Sequence, residues 1–305
     1  MEPVTVLLAT YNGEQFLDEQ MASLAEQTWP SIDLVVSDDG STDATLHILD
    51  RWAGSWRKGA FQTVSGPQQG FAANFRSLIT TAPVQRGYFA FCDQDDVWLP
   101  GKLEKAIGII SGYSTGVPAL YCSRTRLFPS ENGHDLSPLF ARPPSFLNAL
   151  VQSIGGGNTM VMNEAAFSIL QESCRRTVFV SHDWWAYLIV TGAGGVVHYD
   201  PEPEILYRQH AGNLVGNNSS IAARYDRLKM LLGGQFRRWM DENLSGLHAC
   251  SDLLTMEARD QIASFEEARH GKLVKRLHRL ADARVYRQTR EGQISLALAC
   301  MLNRL

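Results

Sequence analysis

Short apolar runs alternate with amphipathic segments through the first third of the chain. Apolar residues at helical spacing predict helices over residues 14–27, over about 43–52 and after Gly70. The runs between them predict strands at Val4–Ala9, Ile32–Ser37, Phe61–Ser65 and Tyr88–Cys92. This alternation predicts an α/β fold with a mostly parallel central sheet and helices on both faces.

The second half of the chain is less regular. Its predicted strands are Ala119–Arg126, Asn158–Met162, Val196–Tyr199 and Glu204–Tyr207. Asn163 is expected to cap a helix that runs to about Cys174, and another helix opens at His182. Beyond about Ser219 the pattern is helical throughout, which predicts an α/β domain over residues 1–218 followed by a helical extension over residues 219–305.

Polar clusters fall at the carboxyl ends of three predicted strands, where open parallel sheets bind their ligands. They are Thr10-Tyr11-Asn12, Asp38-Asp39 and Asp93–Asp96. Acids crowded at the exit of a buried strand repel one another and are costly to desolvate without a positive partner. A divalent cation that also binds phosphate oxygens would supply that charge. The alternative is a solvated turn in which Asp96 or a neighbour caps the next helix.

Composition and charge narrow the class of protein. The chain has 305 residues, of which 45% are hydrophobic and 20% charged, as in an ordinary globular protein. Its net charge of −4 argues against general nucleic-acid binding. Five scattered cysteines without a C-x-x-C pair favour reduced thiols, and therefore a cytoplasmic location, over disulfides or a zinc site. The longest apolar run, Ile294–Leu302, is too short to span a bilayer.

Two later motifs carry candidate chemistry. Asp183 opens a helix, where it either stabilises the helix dipole or serves as a general base beside the cleft. Trp184 or Trp185 would then form an apolar wall for a sugar ring, although adjacent tryptophans point to different sides of a helix. Arg208 offers a planar fork to phosphate. His210 is either a satisfied core histidine or a ligand of a metal or pyrophosphate.

Six segments occur in a fixed order across about residues 3–216, and each of them alone is a loose signal. They are V-T-V-L-L-A-T-Y-N-G, D-L-V-V-S-D-D-G-S-T-D, G-F-A-A-N-F, F-C-D-Q-D-D-V-W-L-P-G-K-L, S-H-D-W-W and Y-R-Q-H-A-G-N. As an ordered set they resemble the family 2 glycosyltransferases of the GT-A fold, and within that family the bacterial polysaccharide enzymes described as rhamnosyltransferases.

The resemblance implies how a nucleotide would be held. A base pocket would be lined by Ala9, Thr10 and Tyr11, with Asp39, and in addition Asp38, hydrogen-bonded to the base. The alternative for the two aspartates is a turn that only caps the following helix. The nucleotide-sugar half of the domain would cover about residues 1–100, and the acceptor half about residues 101–218.

The resemblance also implies roles around the D-Q-D-D segment. Asp93 would contact ribose or the donor sugar, while Asp95 and His210 would hold Mg²⁺ or Mn²⁺ across the diphosphate. Asp183 matches the catalytic position. Lys102 lies where a cation could reach phosphate, although a solvated helix residue is the alternative favoured by the sequence.

The acceptor side is placed by elimination. It would be shaped by the loop over residues 128–144 and by the glycine-rich segment at residues 155–159, with Asn158, Trp184 and Trp185 as its candidate contacts.

The function implied is inverting, metal-dependent transfer from a nucleotide-diphosphate sugar, dTDP-rhamnose or a UDP-hexose, to a glycan or lipid-linked glycan of a bacterial surface polysaccharide. A sugar-nucleotide pyrophosphorylase would need a glycine-rich basic loop after the first strand, which residues 9–15 lack. A dinucleotide oxidoreductase would show G-x-G-x-x-G there, which is also missing. A catalytically silent nucleotide-sugar or glycan-binding protein on the same fold remains an alternative.

The C-terminal region combines a basic stretch with an apolar helical face. Leu273, Leu277 and Leu280 share that face. The basic residues are Arg269, Lys272, Lys275, Arg276, Arg279, Arg284, Arg287 and Arg290. Such helices either lie on an anionic membrane surface, at the inner face of the cell membrane, or pack on the catalytic domain or on a second copy in a homodimer.

Overall fold

The strands of the computed structural model, which describes residues 1–114, 116–129, 135–210 and 233–305, form two sheets. The strands are β1 (Val4–Thr10), β2 (Ile32–Asp38), β3 (Phe61–Ser65), β4 (Tyr88–Cys92), β5 (Val97–Trp98), β6 (Ala119–Ser123), β7 (Arg126–Phe128), β8 (Val161–Asn163), β9 (Val196–Asp200) and β10 (Ile205–Arg208). The larger sheet has the order β3-β2-β1-β4-β8-β6-β9, and the smaller one the order β5-β10-β7.

Helices cover both faces of the larger sheet and make up the C-terminal region. Within the described residues they are α1 (Leu17–Ala25), α2 (Thr45–Ser55), α3 (Phe71–Thr81), α4 (Lys102–Ile110), α5 (Phe146–Ala149), α6 (Glu164–Arg176), α7 (His182–Gly192), α8 (Gln235–Ala249), α9 (Met256–Arg269), α10 (Leu273–Asp282) and α11 (Arg290–Met301). Short 3₁₀ turns cover Gly157–Thr159 and Ser251–Leu253.

The predicted α/β architecture is confirmed. In the seven-stranded sheet only β8 runs antiparallel to its neighbours, β4 and β6. The parallel registers pair Thr10 with Asp38 and Leu8 with Cys92, so β1, β2 and β4 end at the same edge of the sheet. This alignment places the polar clusters that follow the three strands side by side.

Two apolar cores lie on opposite faces of the sheet, because central parallel strands are covered on both sides. One contains residues of α1, α2 and α4, such as Met21, Leu49 and Leu103. The other contains Phe75 of α3 and Phe167 of α6, together with α7 and the C-terminal helices. All five cysteines lie in the described parts of the chain, and each is a buried free thiol.

Some predicted boundaries move for local reasons. The strand predicted to run from Ala119 to Arg126 ends at Ser123, because the chain then crosses into the smaller sheet, where Arg126 begins β7. The strand predicted from Asn158 begins instead at Val161, after the 3₁₀ turn. Asn163 caps α6 as predicted, with its side chain accepting from Ala166 N–H.

The C-terminal helices share a core with the α/β domain. Residues of α8 and α9, including Leu247 and Phe265, belong to the same buried cluster as Trp185 of α7. A Cβ at Gly246 would lie 2.8 Å from the Trp185 ring, so only glycine allows this close approach. Packing on the domain is observed within the described residues, while contact of the outer face with a membrane or a second copy stays a prediction. The predicted boundary between residues 218 and 219 lies outside them.

Among the residues that the structure describes, no helix combines the length and the apolar character needed to cross a membrane.

The shared core predicts how the chain unfolds. Leu247→Ala should lower the free energy of unfolding by about 2–5 kcal/mol, since it leaves a cavity between α8 and the domain. The loss should appear in one cooperative transition when circular dichroism and tryptophan fluorescence are followed in urea. The control Met256→Ala, at an exposed position of α9, should change stability by about 0.5 kcal/mol or less. Separate transitions for the two regions would contradict the shared core.

Candidate active site

Four carboxylates gather at the carboxyl edge of the sheet. Asp93, Asp95 and Asp96 follow β4 in the D-Q-D-D turn, and Asp183 lies in the first turn of α7. Asp93 keeps some exposed surface but is densely surrounded by protein. Desolvation, and then the charges of Asp96, Asp95 and Asp183, raise its pKa well above the usual value. The predicted convergence of these acids is therefore present, and the site would gain from a bound cation.

Asp96 joins three distant segments of the chain. It is buried, and desolvation together with the charge of Asp95 raises its pKa to about 7. One oxygen accepts a hydrogen bond from Arg208 N–H at 3.0 Å, and the other accepts one from the side-chain amide of Asn158. The antiparallel direction of β8 explains this contact, because its entry turn lies at the same edge as the end of β4. Asn158, predicted on the acceptor side, is buried and braces the D-Q-D-D turn.

Asp95 and His210 lie within hydrogen-bonding distance of each other. The Nε2 atom of His210 is 2.8 Å from Oδ2 of Asp95, and its ring packs 5.0 Å from that of Phe16. Within the described residues, no group of three or more His, Cys, Asp or Glu side chains is arranged to hold a metal. One carboxylate and one imidazole nonetheless suit a cation that takes its other ligands from a diphosphate and water.

Arg208 is held by the protein on several sides. Its Nε donates to the backbone oxygen of Asp95 at 2.8 Å, and Nη2 pairs with the carboxylate of Glu19. The guanidinium also lies 4.6 Å from the Phe16 ring centre and 4.9 Å from that of Phe128. Sequence reasoning missed Glu19, because 189 positions separate it from Arg208 and no local pattern links them. The contact of Arg208 with phosphate stays a prediction.

The segment predicted to line the base pocket, Ala9 to Tyr11, lies beside this turn. Gln94 clasps the backbone of Tyr11, accepting from its N–H at 2.8 Å and donating to its carbonyl at 3.0 Å. The Tyr11 side chain is exposed, whereas Ala9 is half-buried and Thr10 is buried. Sequence reasoning missed Gln94, although its place between Asp93 and Asp95 could have marked it. The clasp ties the predicted base-pocket segment to the acidic turn.

Asp38 and Asp39 shape the neighbouring loop. Asp38 accepts from Thr10 Oγ1 at 2.9 Å and from both the N–H and the hydroxyl of Ser41. Asp39 accepts backbone N–H groups from Gln68 at 2.6 Å and Gly70 at 2.9 Å. Both residues therefore brace the loops beside the end of β2, and neither caps α2, whose N-cap residue is Ala44. Their contact with a base stays a prediction.

Asp183 is oriented by its own helix. Its Oδ1 accepts from Trp184 N–H at 2.8 Å, and the Ser153 hydroxyl lies 3.4 Å from Oδ2. The preceding residue, His182, is buried in a face-to-face stack on Phe75 with ring centres 3.6 Å apart. Burial lowers the pKa of His182 to about 4, so its ring is neutral and packs as an aromatic residue.

The two tryptophans correct a prediction. Trp185 is fully buried, and its indole N–H donates to Ser173 Oγ at 2.9 Å. Trp184 is also buried; its indole N–H donates to the carbonyl of Ala149 at 2.7 Å, and its ring meets Trp239 edge to face. Because α7 packs between α6 and the C-terminal helices, neither ring forms the exposed wall for a sugar that the sequence suggested.

The position of Lys102 corrects another prediction. The sequence favoured a solvated helix residue, but the side chain is fully buried, with Nζ 3.1 Å from the centre of the Trp98 ring. Nζ has no hydrogen-bond partner among the described residues. Desolvation lowers its pKa to about 7, partly opposed by the negative charges of Asp96 and Glu204. Lys102 therefore lies beneath the acidic turn and does not reach outward toward a phosphate.

An α/β fold with an acidic turn at the carboxyl edge of its sheet is the arrangement of a GT-A transferase. The family model described as "Glycosyl transferase family 2" matches residues 5–166. The dTDP-rhamnosyl transferase RfbG of Shigella flexneri is 30% identical over 244 residues, which cover 76% of this chain and 81% of that protein. The chain belongs to glycosyltransferase family 2. This membership disfavours the pyrophosphorylase and oxidoreductase alternatives.

Solved structures are similar in fold. Residues 1–349 of S. aureus TarS in complex with UDP-GlcNAc align with a TM-score of 0.58 at 17% identity, covering 99% of this chain and 89% of that one. The mannosyltransferase PcManGT of Pyrobaculum calidifontis, in complex with GDP-Man and Mn²⁺, aligns with a TM-score of 0.51 at 18% identity, covering 99% and 86%. At such identities the likeness shows the GT-A fold alone.

The burial of Lys102 predicts that this residue lowers the free energy of unfolding by an amount that depends on pH. Between pH 7 and 10.5 the unfolded chain binds a proton that the folded chain does not, so this residue makes stability rise with pH over that window. Lys102→Met should therefore raise the free energy of unfolding by about 1–4 kcal/mol at pH 6, and by less at pH 10. Urea unfolding at both pH values measures this. The exposed control Lys275→Met should show no such difference, and a loss of stability in Lys102→Met at pH 6 would contradict the argument.

Proposed function

We propose that this chain is an inverting, metal-dependent glycosyltransferase that moves a sugar from a nucleotide-diphosphate sugar to a glycan or lipid-linked glycan acceptor. The observation that carries the proposal is that the start of α7 lies against the D-Q-D-D turn: Gly157 packs on the ring of His182, which precedes Asp183, and the adjacent Asn158 donates to Asp96. A general base and a diphosphate site must lie on either side of one sugar ring for a single in-line displacement at the anomeric carbon.

Asp183 is the proposed base. The N–H of Trp184 holds one carboxylate oxygen, which leaves the second oxygen to take the proton from an acceptor hydroxyl as that oxygen attacks the sugar. Ser153 lies beside the second oxygen and would restrict its rotation. A single base on the face opposite the leaving group implies inversion at the anomeric carbon.

Asp95 and His210 are the proposed protein ligands for Mg²⁺ or Mn²⁺. When bound, the cation neutralises negative charge on the departing diphosphate. Arg208 fixes the backbone of Asp95 through its carbonyl, and Asp96 is locked by Asn158, so the turn presents the Asp95 carboxylate in one orientation. Asp93, beside them, is the proposed contact to ribose or to the donor sugar.

The donor is proposed to be dTDP-rhamnose, with a UDP-hexose as the alternative, and the setting is bacterial surface polysaccharide synthesis in the cytoplasm. The similarity to RfbG supports the first donor. Exposed Tyr11, clasped by Gln94, offers a ring on which a pyrimidine can stack, while Ala9, Thr10, Asp39 and Asp38 form the rest of the proposed base pocket.

Loss of the base tests the reaction directly. Asp183→Asn keeps the shape and the Trp184 contact but cannot take a proton, so the rate of transfer from dTDP-rhamnose or UDP-hexoses should fall on the order of 10²–10⁴-fold. Product sugar is measured by chromatography. Glu164→Gln is the matched control, since Glu164 also lies in the first turn of a helix and removing it tests the dipole alone. Transfer by Asp183→Asn at near the wild-type rate would make the assignment wrong.

Metal removal tests the second part of the site. EDTA should abolish transfer, and Mn²⁺ should restore it, because the diphosphate charge is otherwise uncompensated. Asp95→Asn and His210→Gln should each require about 10-fold or more Mn²⁺ for half-maximal rate. Asp50→Asn, at an exposed position of α2, is the control. Full activity in EDTA would refute metal dependence while leaving the Asp183 assignment standing.

A further inference from the structure

The outer face of α11 carries an exposed apolar row. Ile294, Leu298, Met301 and Leu302 follow one another at helical spacing, and all four are exposed, Ile294 by 61%. The opposite face of the same helix supplies Leu296, Ala299 and Cys300 to the core. The helix therefore has a second apolar face in addition to the one that the fold uses.

The start of α10 lies beside the end of this row. Arg276 of α10 donates to the carbonyl of Met301 at 3.2 Å and to Asn303 Oδ1 at 2.6 Å, and also to the carbonyl of Gly271 at 3.4 Å. These bonds bring the start of α10 beside the end of α11.

Leu273 and Val274 stand at that point, and both are exposed, Val274 by 80%. The six side chains Ile294, Leu298, Met301, Leu302, Leu273 and Val274 are named the apolar ridge.

Free basic residues flank one end of the apolar ridge. Lys272 and Lys275 are exposed beside Val274, and an open hollow of about 630 Å³ lies between them, lined also by Gly271 and His278. Exposed Arg304 follows the end of α11.

Other members of the basic stretch are engaged within the protein. Arg269 pairs with Asp241, Arg276 is buried on the carbonyls named above, and Arg279 donates to the carbonyl of Glu267. Arg284 and Arg290 are also exposed, between and at the start of the two helices, so Lys272, Lys275 and Arg304 are the exposed cations at the junction where α10 begins and α11 ends.

We propose that the apolar ridge and its two lysines form a docking surface for an anionic lipid bilayer. The apolar side chains enter the boundary between headgroups and acyl chains, and Lys272 and Lys275 bind lipid phosphates. This surface lies on the C-terminal helices, and the inference stands whichever sugar the D-Q-D-D site transfers. If the protein docks in this way, it would bind a lipid-linked acceptor at the membrane surface.

Charge favours a bilayer over a second copy of the chain. A two-fold symmetric contact through the ridge would bring the Lys272 and Lys275 pairs of both copies to the same interface, where like charges repel. An anionic lipid surface complements them instead. A homodimer through these helices is accordingly an outcome that the experiment must be able to detect.

Vesicle co-sedimentation tests the proposal on the full chain. We expect binding to vesicles of phosphatidylglycerol mixed with phosphatidylcholine, weakened by salt, and little binding to phosphatidylcholine alone. The double variants Val274→Ser with Leu298→Ser, and Lys272→Ala with Lys275→Ala, should each weaken partition about 10-fold or more.

Matched controls replace exposed apolar or basic side chains at positions away from the docking surface. Val178→Ser with Met256→Ser changes exposed apolar residues outside the ridge, and Arg51→Ala with Arg86→Ala removes two exposed charges; both should bind vesicles as the wild type does. Circular dichroism and transfer to a soluble acceptor should be unchanged in all four variants, which separates failure of docking from failure of the fold or of the proposed activity.

Three results would overturn the proposal. The first is equal binding to neutral and anionic vesicles. The second is wild-type binding by both double variants, the one at Val274 and Leu298 and the one at Lys272 and Lys275. The third is sedimentation of the wild type as a dimer that Leu298→Ser dissociates.

Discussion

Repulsion among carboxylates at the end of β4 is the constraint around which this molecule is organised. Placing Asp93, Asp95 and Asp96 within four residues, with Asp183 nearby, costs free energy in a desolvated turn. The surrounding structure offsets part of this cost with fixed hydrogen-bond donors. Arg208 and Asn158 hold Asp96, and His210 faces Asp95. The proposed cation would relieve the cost that remains.

The topology explains how donors so distant in sequence arrive at one turn. β8 runs against its neighbours, which puts its entry turn and Asn158 at the edge where β4 ends. The smaller sheet pairs β5, just after the acidic turn, with β10, just before His210. These strands also supply core residues, among them Val161, Trp98 and Ile205. Their placement therefore buries apolar side chains and brings polar groups together at the same edge.

The apolar surroundings of the site decide how its neighbours behave. His182 packs on Phe75 as a neutral ring, and Lys102 lies on Trp98 in a place where its charge is costly. The C-terminal helices close one side of this region by packing α8 on α7 through Gly246 and Trp185. They therefore belong to the catalytic body, while their outer face remains available to a partner.

The sequence by itself determined the strands and helices of the first half, the parallel sheet, the acidic turn and the family, because these depend on local periodicity and on residues close together in the chain. The tertiary structure alone decided that Trp184 and Trp185 are core, that Lys102 is buried, and that Gln94, Glu19 and Asn158 support the site. The physical reason is that burial and hydrogen-bond partners are set by segments up to 189 positions apart, whose meeting no local pattern encodes.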